Sequence, residues 1–420
     1  MSSPQYDLLR KTALSFPAID NHAHPLLKSQ YRNKDSLESS ISEASEETGK
    51  QDATQTLACF RAAIQLAKVL GIQEGSGSSL WQQVKQHRDT MDYDELCNTF
   101  MTRCGIQSIL LDDGLGVTDW VEDWKWHRRF GCDTKRVVRI EIEAESLIGT
   151  QSDDDTDIRK QLLTVAVEFF TQLYTSLDQS AQDTEVAAFK SIICYRGGLN
   201  IRPQADLGIG DTEHDYELVI DSLLQVVAQL ILKKEGTIRL AHGAINEWIV
   251  HWGLRVAGKR GIPVQFHTGL GDPDIPLVFS SPAHMQSLIK EYPDTTFVLL
   301  HAAYPYTKDA GYLCSVYPNV ILDFGEVFPM VSGSGQRSII RQVLELCPTN
   351  KILWSTDGHW HPESFYLGAL QARQALLDVL AEYISAGELT EVQAVEIVER
   401  ALFWNSNRVY KLGIVPQPSD

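Results

Sequence analysis

The sequence predicts an α/β fold, a (β/α)8 TIM barrel with a helical insertion after the first strand, on three observations. Eight short apolar runs recur along the chain, each followed by residues with helical spacing, the pattern of parallel strands joined by crossover helices. Several of the runs end in a residue that can bind a metal or move a proton, at the carboxyl ends where such barrels assemble their sites. No obvious linker interrupts the alternation, so residues 1–420 read as one barrel domain.

In chain order, residues 5–15 read as a short helix leading into the first strand, Phe16-Pro17-Ala18-Ile19-Asp20-Asn21-His22, which runs on to His24. Residues 28–100 are polar and helical, rich in Ser and Glu from Ser36 to Glu47 and broken by Gly and Ser from Gly75 to Ser79. That break lacks the Lys-Ser/Thr ending of a phosphate-binding loop and reads as a turn. Long insertions at the carboxyl end of a strand commonly cap a pocket, so 28–100 is expected to be a helical lid.

The second strand is Gln107 to Gly114 and the third Arg136 to Glu141, separated by a tryptophan-rich loop, Trp120 to His127, expected to pack on the barrel rim. Ile158, Leu162, Leu163, Val165, Phe170, Leu173 and Leu177 repeat with helical spacing. The fourth strand is Ala188 to Arg196, closed by Gly197-Gly198. A long helix follows, with Asp211 or Thr212 as its cap, an apolar stripe from Leu218 to Leu232 and a stop at Gly236. A second helix, about Ala244 to Lys259, ends at Gly261. Strands at Ile262 to His267, Thr296 to His301, Val320 to Phe324 and Ile352 to Asp357 then alternate with helices near Ala283, Thr307 and Gln336, and Pro362 to Asn405 supplies two more.

The net charge of −18 argues against nucleic acid or an anionic membrane as partner, since both select basic patches. A small-molecule substrate is the expected partner, and a homo-oligomer is compatible with the sequence. The start has no secretory pattern, and no run approaches the roughly 18 apolar residues of a membrane span. Seven cysteines without a CxxC pair suit reduced thiols in the cytoplasm, and Cys194 reads as buried packing rather than a nucleophile.

The strand period of two puts His22 and His24 on one face, roughly 7 Å apart along the backbone, a geometry in which two imidazoles converge on one ion. His267, His301 and Asp357 end three later strands. Held by His22, His24, His267 and Asp357, one metal would have mixed N and O ligands with room for water, as in catalytic sites that lower the pKa of bound water. Zn2+ is expected, with Mn2+ or Fe2+ as substitutes. His301 is then free to orient or protonate, and Asp357 to take a proton as well as ligate. Taken singly, His301 also reads as packing, and Asp357-Gly358 as a plain turn.

These residues resemble the metal-dependent amidohydrolase superfamily, in the branch that includes single-metal decarboxylases. The wording IDNHAHPL, LLDDGLG, FKSIICYRGGL, PVQFHTGLGD, LLHAAYPY, STDGHWHPE and FWNSNRVYKL is more specifically similar to the amidohydrolase-like domain of FluG and nodulin-type proteins, which is often fused to a glutamine synthetase domain. No synthetase sequence follows Leu412, so a stand-alone version is expected. The resemblance implies hydrolysis of a C–N bond in a small amide, a γ-glutamyl amide among the candidates, and leaves non-oxidative decarboxylation as the alternative. A catalytically silent barrel is the third reading.

Binuclear members carry a carboxylated lysine at the end of strand four. Lys190 reads as lying at the beginning of that strand, as a structural or substrate-facing residue, so one ion is expected. Arg196 is placed to hold a substrate carboxylate through its forked guanidinium, or else is a surface arginine. Arg139 and Glu141 alternate onto one face of strand three, as a bracing ion pair or as catalytic groups. His359 and His361 either line the pocket or cap the next helix.

Overall fold

The computed structural model describes residues 6–73, 78–115, 119–148, 158–207, 225 and 239–417. The Gly75 to Gly77 break and the helix expected from Leu218 to Leu232, with its cap at Asp211 or Thr212 and its stop at Gly236, lie outside them.

Eight parallel strands form one sheet in sequence order: β1 (Ala18–Ala23), β2 (Ile106–Asp112), β3 (Asp133–Arg139), β4 (Val186–Ser191), β5 (Val264–Phe266), β6 (Phe297–Leu299), β7 (Val320–Asp323) and β8 (Ile352–Leu353). Backbone hydrogen bonds stitch β1 to the residues around and after β8, from Asn21 to Trp354 (3.3 Å), Asp357 to His22 (3.0 Å) and His24 to Gly358 (2.7 Å), so the sheet curls round on itself. A TIM barrel results, with helices between strands burying the outward apolar side chains. Leu110, Val137, Ala188, Val298, Ile321 and Leu353 form a separate apolar cluster, closed by Val409 and Tyr410 from the last helix.

The insertion after β1 is helical, with helices at Glu47–Ala53, Leu57–Leu70, Leu80–Thr90 and Tyr93–Met101. Three of these four helices begin on side-chain caps, Thr56 accepting from the Cys59 N–H, Ser79 forming a capping box with Gln82 and Asp92 accepting from the Glu95 N–H. Arg88 from the insertion bonds Glu363 at the start of helix Pro362–Ser385 (2.7 Å, both buried), which pins the insertion to the barrel. The tryptophan-rich loop packs as expected: Trp126 lies edge-on to His127 and Phe130, and His127 Nε2 accepts from the Leu26 N–H (3.0 Å), fixing the exit of β1.

Strand ends differ from the sequence expectation, and two differences matter. β4 begins at Val186 and ends at Ser191, where the chain turns into a 3-10 helix, Ile193–Tyr195. Lys190 is therefore near the end of its strand, not at the beginning, and Arg196 lies beyond it. β3 ends at Arg139, and Glu141 stands in the first turn of helix Ile140–Ile148, so the two do not share a strand face. A buried carboxylate holds the β4 exit: Glu141 accepts from the Ile192 N–H (3.0 Å) and Ser191 Oγ (2.7 Å), drawing the chain out of the ladder.

Candidate metal centre

His22 Nε2 lies 3.2 Å and His24 Nε2 3.5 Å from Asp357 Oδ1, and the three residues offer ligand atoms within 4.8 Å of one another. The tautomer of His24 is fixed by its neighbour, since Nδ1 is 2.9 Å from the Asp112 carbonyl oxygen and must donate, leaving the Nε2 lone pair free. Asp112 is held in turn by Arg139, whose Nη2 and Nε reach Asp112 Oδ2 at 2.6 and 3.1 Å. Arg139 thus pairs with Asp112, not with Glu141.

His267 belongs to an adjoining group with His301 and Glu326, again with ligand atoms within 4.8 Å. The ring centroids of His267 and His301 are 4.4 Å apart and those of His22 and His301 are 5.7 Å apart, so His301 links the groups. His267 Nε2 is 2.7 Å from the Leu270 carbonyl oxygen and donates to it, with Tyr195 Oη 3.0 Å away, which leaves the lone pair on Nδ1. Three of the four expected ligands therefore converge on one point, and the fourth stands one ring away. Lys190 Nζ is 3.0 Å from His22 Nε2, so this lysine is part of the centre.

The residues fit a divalent cation. Asp357 Oδ1, His22 Nδ1 and His301 Nε2 are buried without a hydrogen-bond partner, and such orphaned atoms are rare in folded proteins. Burial pulls the His22 imidazole down to about 4, with Lys190 adding to the effect, and pulls His267 and His301 well below the usual value. Burial pushes the Asp357 carboxyl up, but the histidines around it outweigh that and hold it well below the usual range. Neutral imidazoles beside an ionised carboxylate are the protonation states that metal ligation needs. Burial lowers Lys190 to about 8, against the pull of Asp112 and Asp357.

His301, Glu326 and Asp357 have φ of 66°, 61° and 52°, left-handed conformations that side chains other than glycine rarely adopt. Three such residues at the ends of β6, β7 and β8 indicate a backbone held for its side-chain placement. Asp323 supports them: its Oδ2 accepts from the N–H groups of His301 (3.3 Å) and Gly325 (2.9 Å) and from Ser355 Oγ (3.0 Å).

A cavity of about 680 Å3 opens over the centre, lined among others by His24, Lys190, His267, Asp357, His359 and Arg196. Arg196 is not a surface residue. Its side chain is 5% exposed, Nη2 bonds Glu145 (2.9 Å), and Nε and Nη1 have no partner. His359 lines the cavity with Nδ1 3.1 Å from the Asp357 carbonyl oxygen, whereas His361 is buried beside Arg88. Glu141 braces β4 and does not reach the ligands. Glu326, Asp112, Tyr195 and Glu43 are site residues that the strand-end pattern did not mark. Gly325-Glu326 directly after an apolar strand was the one signal for Glu326.

The family model described as amidohydrolase matches residues 243–411. FluG of Emericella nidulans is 41% identical over 427 aligned positions, which cover 97% of this chain and 47% of FluG, so the chain spans about half the length of that relative. Among solved structures, a Lactobacillus casei protein designated a metal-dependent hydrolase superposes with a TM-score of 0.77 at 21% identity, covering 97% of this chain and 98% of that one. A uronate isomerase of Bacillus halodurans superposes with a TM-score of 0.58 at 12% identity, covering 97% and 96%. The barrel, the amidohydrolase match over residues 243–411 and the identity to FluG along almost the whole of this chain make it similar to the amidohydrolases.

Proposed function

We propose that the chain is a metal-dependent hydrolase that cleaves a C–N bond in a small amide, with γ-glutamyl amides the first class to test. The observation that supports this reading is the convergence of His22, His24 and Asp357 within 4.8 Å around a carboxylate oxygen that has no hydrogen-bond donor. These three would hold one ion, Zn2+ or in its place Mn2+ or Fe2+, with His267 Nδ1 as the fourth ligand. Lys190 at the end of β4 and the adjoining group of His267, His301 and Glu326 are what a second ion would use, and elemental analysis separates one ion from two. A bound cation supplies Lewis acidity and brings the pKa of water towards neutrality.

The chain's own residues do the rest. Asp357, an ionised carboxylate in a buried setting, accepts the proton released by the attacking water. His301, its ring centroid 5.7 Å from that of His22, polarises or protonates the carbonyl side, with Glu326 Oε2 3.1 Å from its Nδ1 to orient the ring. Arg139 holds Asp112, which holds His24. Arg196 offers two unpartnered nitrogens to a substrate carboxylate. The cavity suits a small molecule. All seven cysteines are free and buried, which supports a cytoplasmic setting, and among the described residues no helix is long and apolar enough to cross a membrane.

A panel of small amides and aromatic acids, incubated with protein loaded in turn with Zn2+, Mn2+ and Fe2+, tests the reading. Released ammonia or amine is expected. Released carbon dioxide would replace it with decarboxylation, and the absence of both metal uptake and turnover would leave a silent barrel.

A further inference from the structure

The closing segment Phe403 to Leu412 takes no part in the chemistry above, yet it reaches the interior of the barrel. Asn405, buried, donates to the carbonyl oxygens of Thr349 (2.9 Å) and Ile352 (2.8 Å), which ties the last helix to the start of β8. Five residues on, Tyr410 enters the apolar cluster formed by the strands, and there its hydroxyl meets polar partners. Tyr410 Oη lies 2.9 Å from Asn21 Oδ1 and 2.9 Å from Gln265 Nε2. Gln265 Nε2 also donates to the Asn21 carbonyl oxygen (2.7 Å). Asn21 is on β1 and Gln265 on β5, four places apart among eight strands, so these bonds cross the inside of the barrel.

The direction of each bond is fixed. The Asn21 amide nitrogen must donate, because it faces Asp323 Oδ1 (2.7 Å) and the Trp354 carbonyl oxygen (2.6 Å). Its oxygen can then only accept, so the Tyr410 O–H donates to it and Tyr410 Oη accepts from Gln265. Asp323 passes the line on, since its Oδ2 takes the N–H groups of His301 (3.3 Å) and Gly325 (2.9 Å). A buried row of hydrogen bonds thus runs from Gln265 through Tyr410, Asn21 and Asp323 to the backbone of His301. It ends where that backbone is left-handed, at His301 and beside Glu326. A tyrosine that only filled the end of the barrel would need no hydroxyl.

We propose that Tyr410 is a positioning residue for His301: its hydroxyl orients the Asn21 amide, which sets the Asp323 carboxyl where it captures the N–H groups of His301 and Gly325. The inference rests on the hydrolase reading for the part His301 plays in turnover, and not for the backbone it fixes. Without the hydroxyl, Asn21 Oδ1 is a buried acceptor with no donor, and its amide turns to find one. Asp323 then loses the donor on Oδ1, and its hold on the two strand ends slackens.

Hydrogen–deuterium exchange of the metal-loaded full chain, read by mass spectrometry, tests the proposal in Tyr410→Phe. Peptides containing the His301 and Gly325 amides should exchange about fivefold faster, the effect of one weakened hydrogen bond, while peptides of β2 and β3 keep their rates. Metal content should be unchanged. On an amide that the parent chain cleaves, kcat should fall about tenfold at unchanged KM. Asp323→Asn, which cuts the row one bond from His301, should give the same pattern, and the double variant should exchange no faster than Asp323→Asn alone. Unchanged exchange at both sites, equal acceleration in every strand, loss of a metal equivalent in Tyr410→Phe, a loss carried by KM alone, or additive effects in the double variant would each overturn it. A parent chain without amide turnover would remove the hydrolase reading and leave exchange to decide this one.

Discussion

Replacing Arg139 with Met removes a charge while keeping an apolar stem in the space it fills, and the structure allows the cost to be worked through. Arg139 and Asp112 are 9% and 0% exposed on their side chains, joined at 2.6 Å, so the loss leaves a buried carboxylate without a cation. Breaking a buried pair on one side costs about 3–5 kcal/mol. Burial pushes the Asp112 carboxyl up, and the Arg139 charge outweighs it and holds the group well below the usual range. A depressed carboxyl pKa contributes stability that is present above the unfolded value, about 3.9, and lost as pH falls below it. The penalty of Arg139→Met should therefore be complete at neutral pH and shrink in acid. Because His24 Nδ1 donates to the Asp112 carbonyl oxygen, metal affinity should also fall about 10- to 100-fold. Urea unfolding of the metal-free protein reads the first effect and competition with a chromophoric chelator the second. The double variant Arg139→Met with Asp112→Asn should recover part of the stability, since no unpaired charge remains. A single-variant penalty below about 1 kcal/mol, or simple additivity in the double variant, would refute the reasoning.

Three further outcomes follow from the same geometry. His301→Ala should keep its metal and lose about 10²- to 10⁴-fold in turnover, the usual worth of a positioned acid or base, and full turnover would remove His301 from the mechanism. Gly271→Ala should weaken metal binding measurably in the chelator assay, because a Cβ there would sit 2.4 Å from Tyr195 Oη and 2.9 Å from His267 Nε2; unchanged affinity would show that His267 is not a ligand. Burial raises Asp20 to about 8 against hydrogen bonds from Thr356, so the folded protein holds a proton that the unfolded chain releases near 4. Its contribution is complete below that lower value and is lost as pH rises towards 8, at about 1.4 kcal/mol per pH unit. Asp20→Asn should remove that slope between pH 5 and 7 in urea titrations, and an unchanged slope would contradict the assignment.

The barrel was legible because a parallel strand buried on both faces reads as a short apolar run, and eight such runs with helical sequence between them admit few other folds. His22, His24, His301 and Asp357 were legible because each follows such a run directly. Lys190 was misplaced because Ala188 to Arg196 is continuously strand-like in composition, whereas the strand's end is set by Glu141, which captures the Ile192 N–H from another part of the chain. The Arg139 partner was misassigned for the same reason: alternation predicts a shared face only while the strand continues, and β3 stops at Arg139. Glu326 carries only the Gly325-Glu326 pair after an apolar strand, and Glu43 carries no local pattern. One depends on a left-handed backbone after β7 and the other on how the insertion folds back over the barrel, and both are long-range consequences of packing.

Metal content measured on the purified chain and on four variants, His22→Ala, His24→Ala, His267→Ala and Asp357→Ala, tests the central claim most directly. The account predicts a stoichiometric divalent ion in the parent chain and its loss, together with turnover, in each variant whose fold is intact by circular dichroism. Retention of the full metal content after loss of His22 or Asp357 would contradict it.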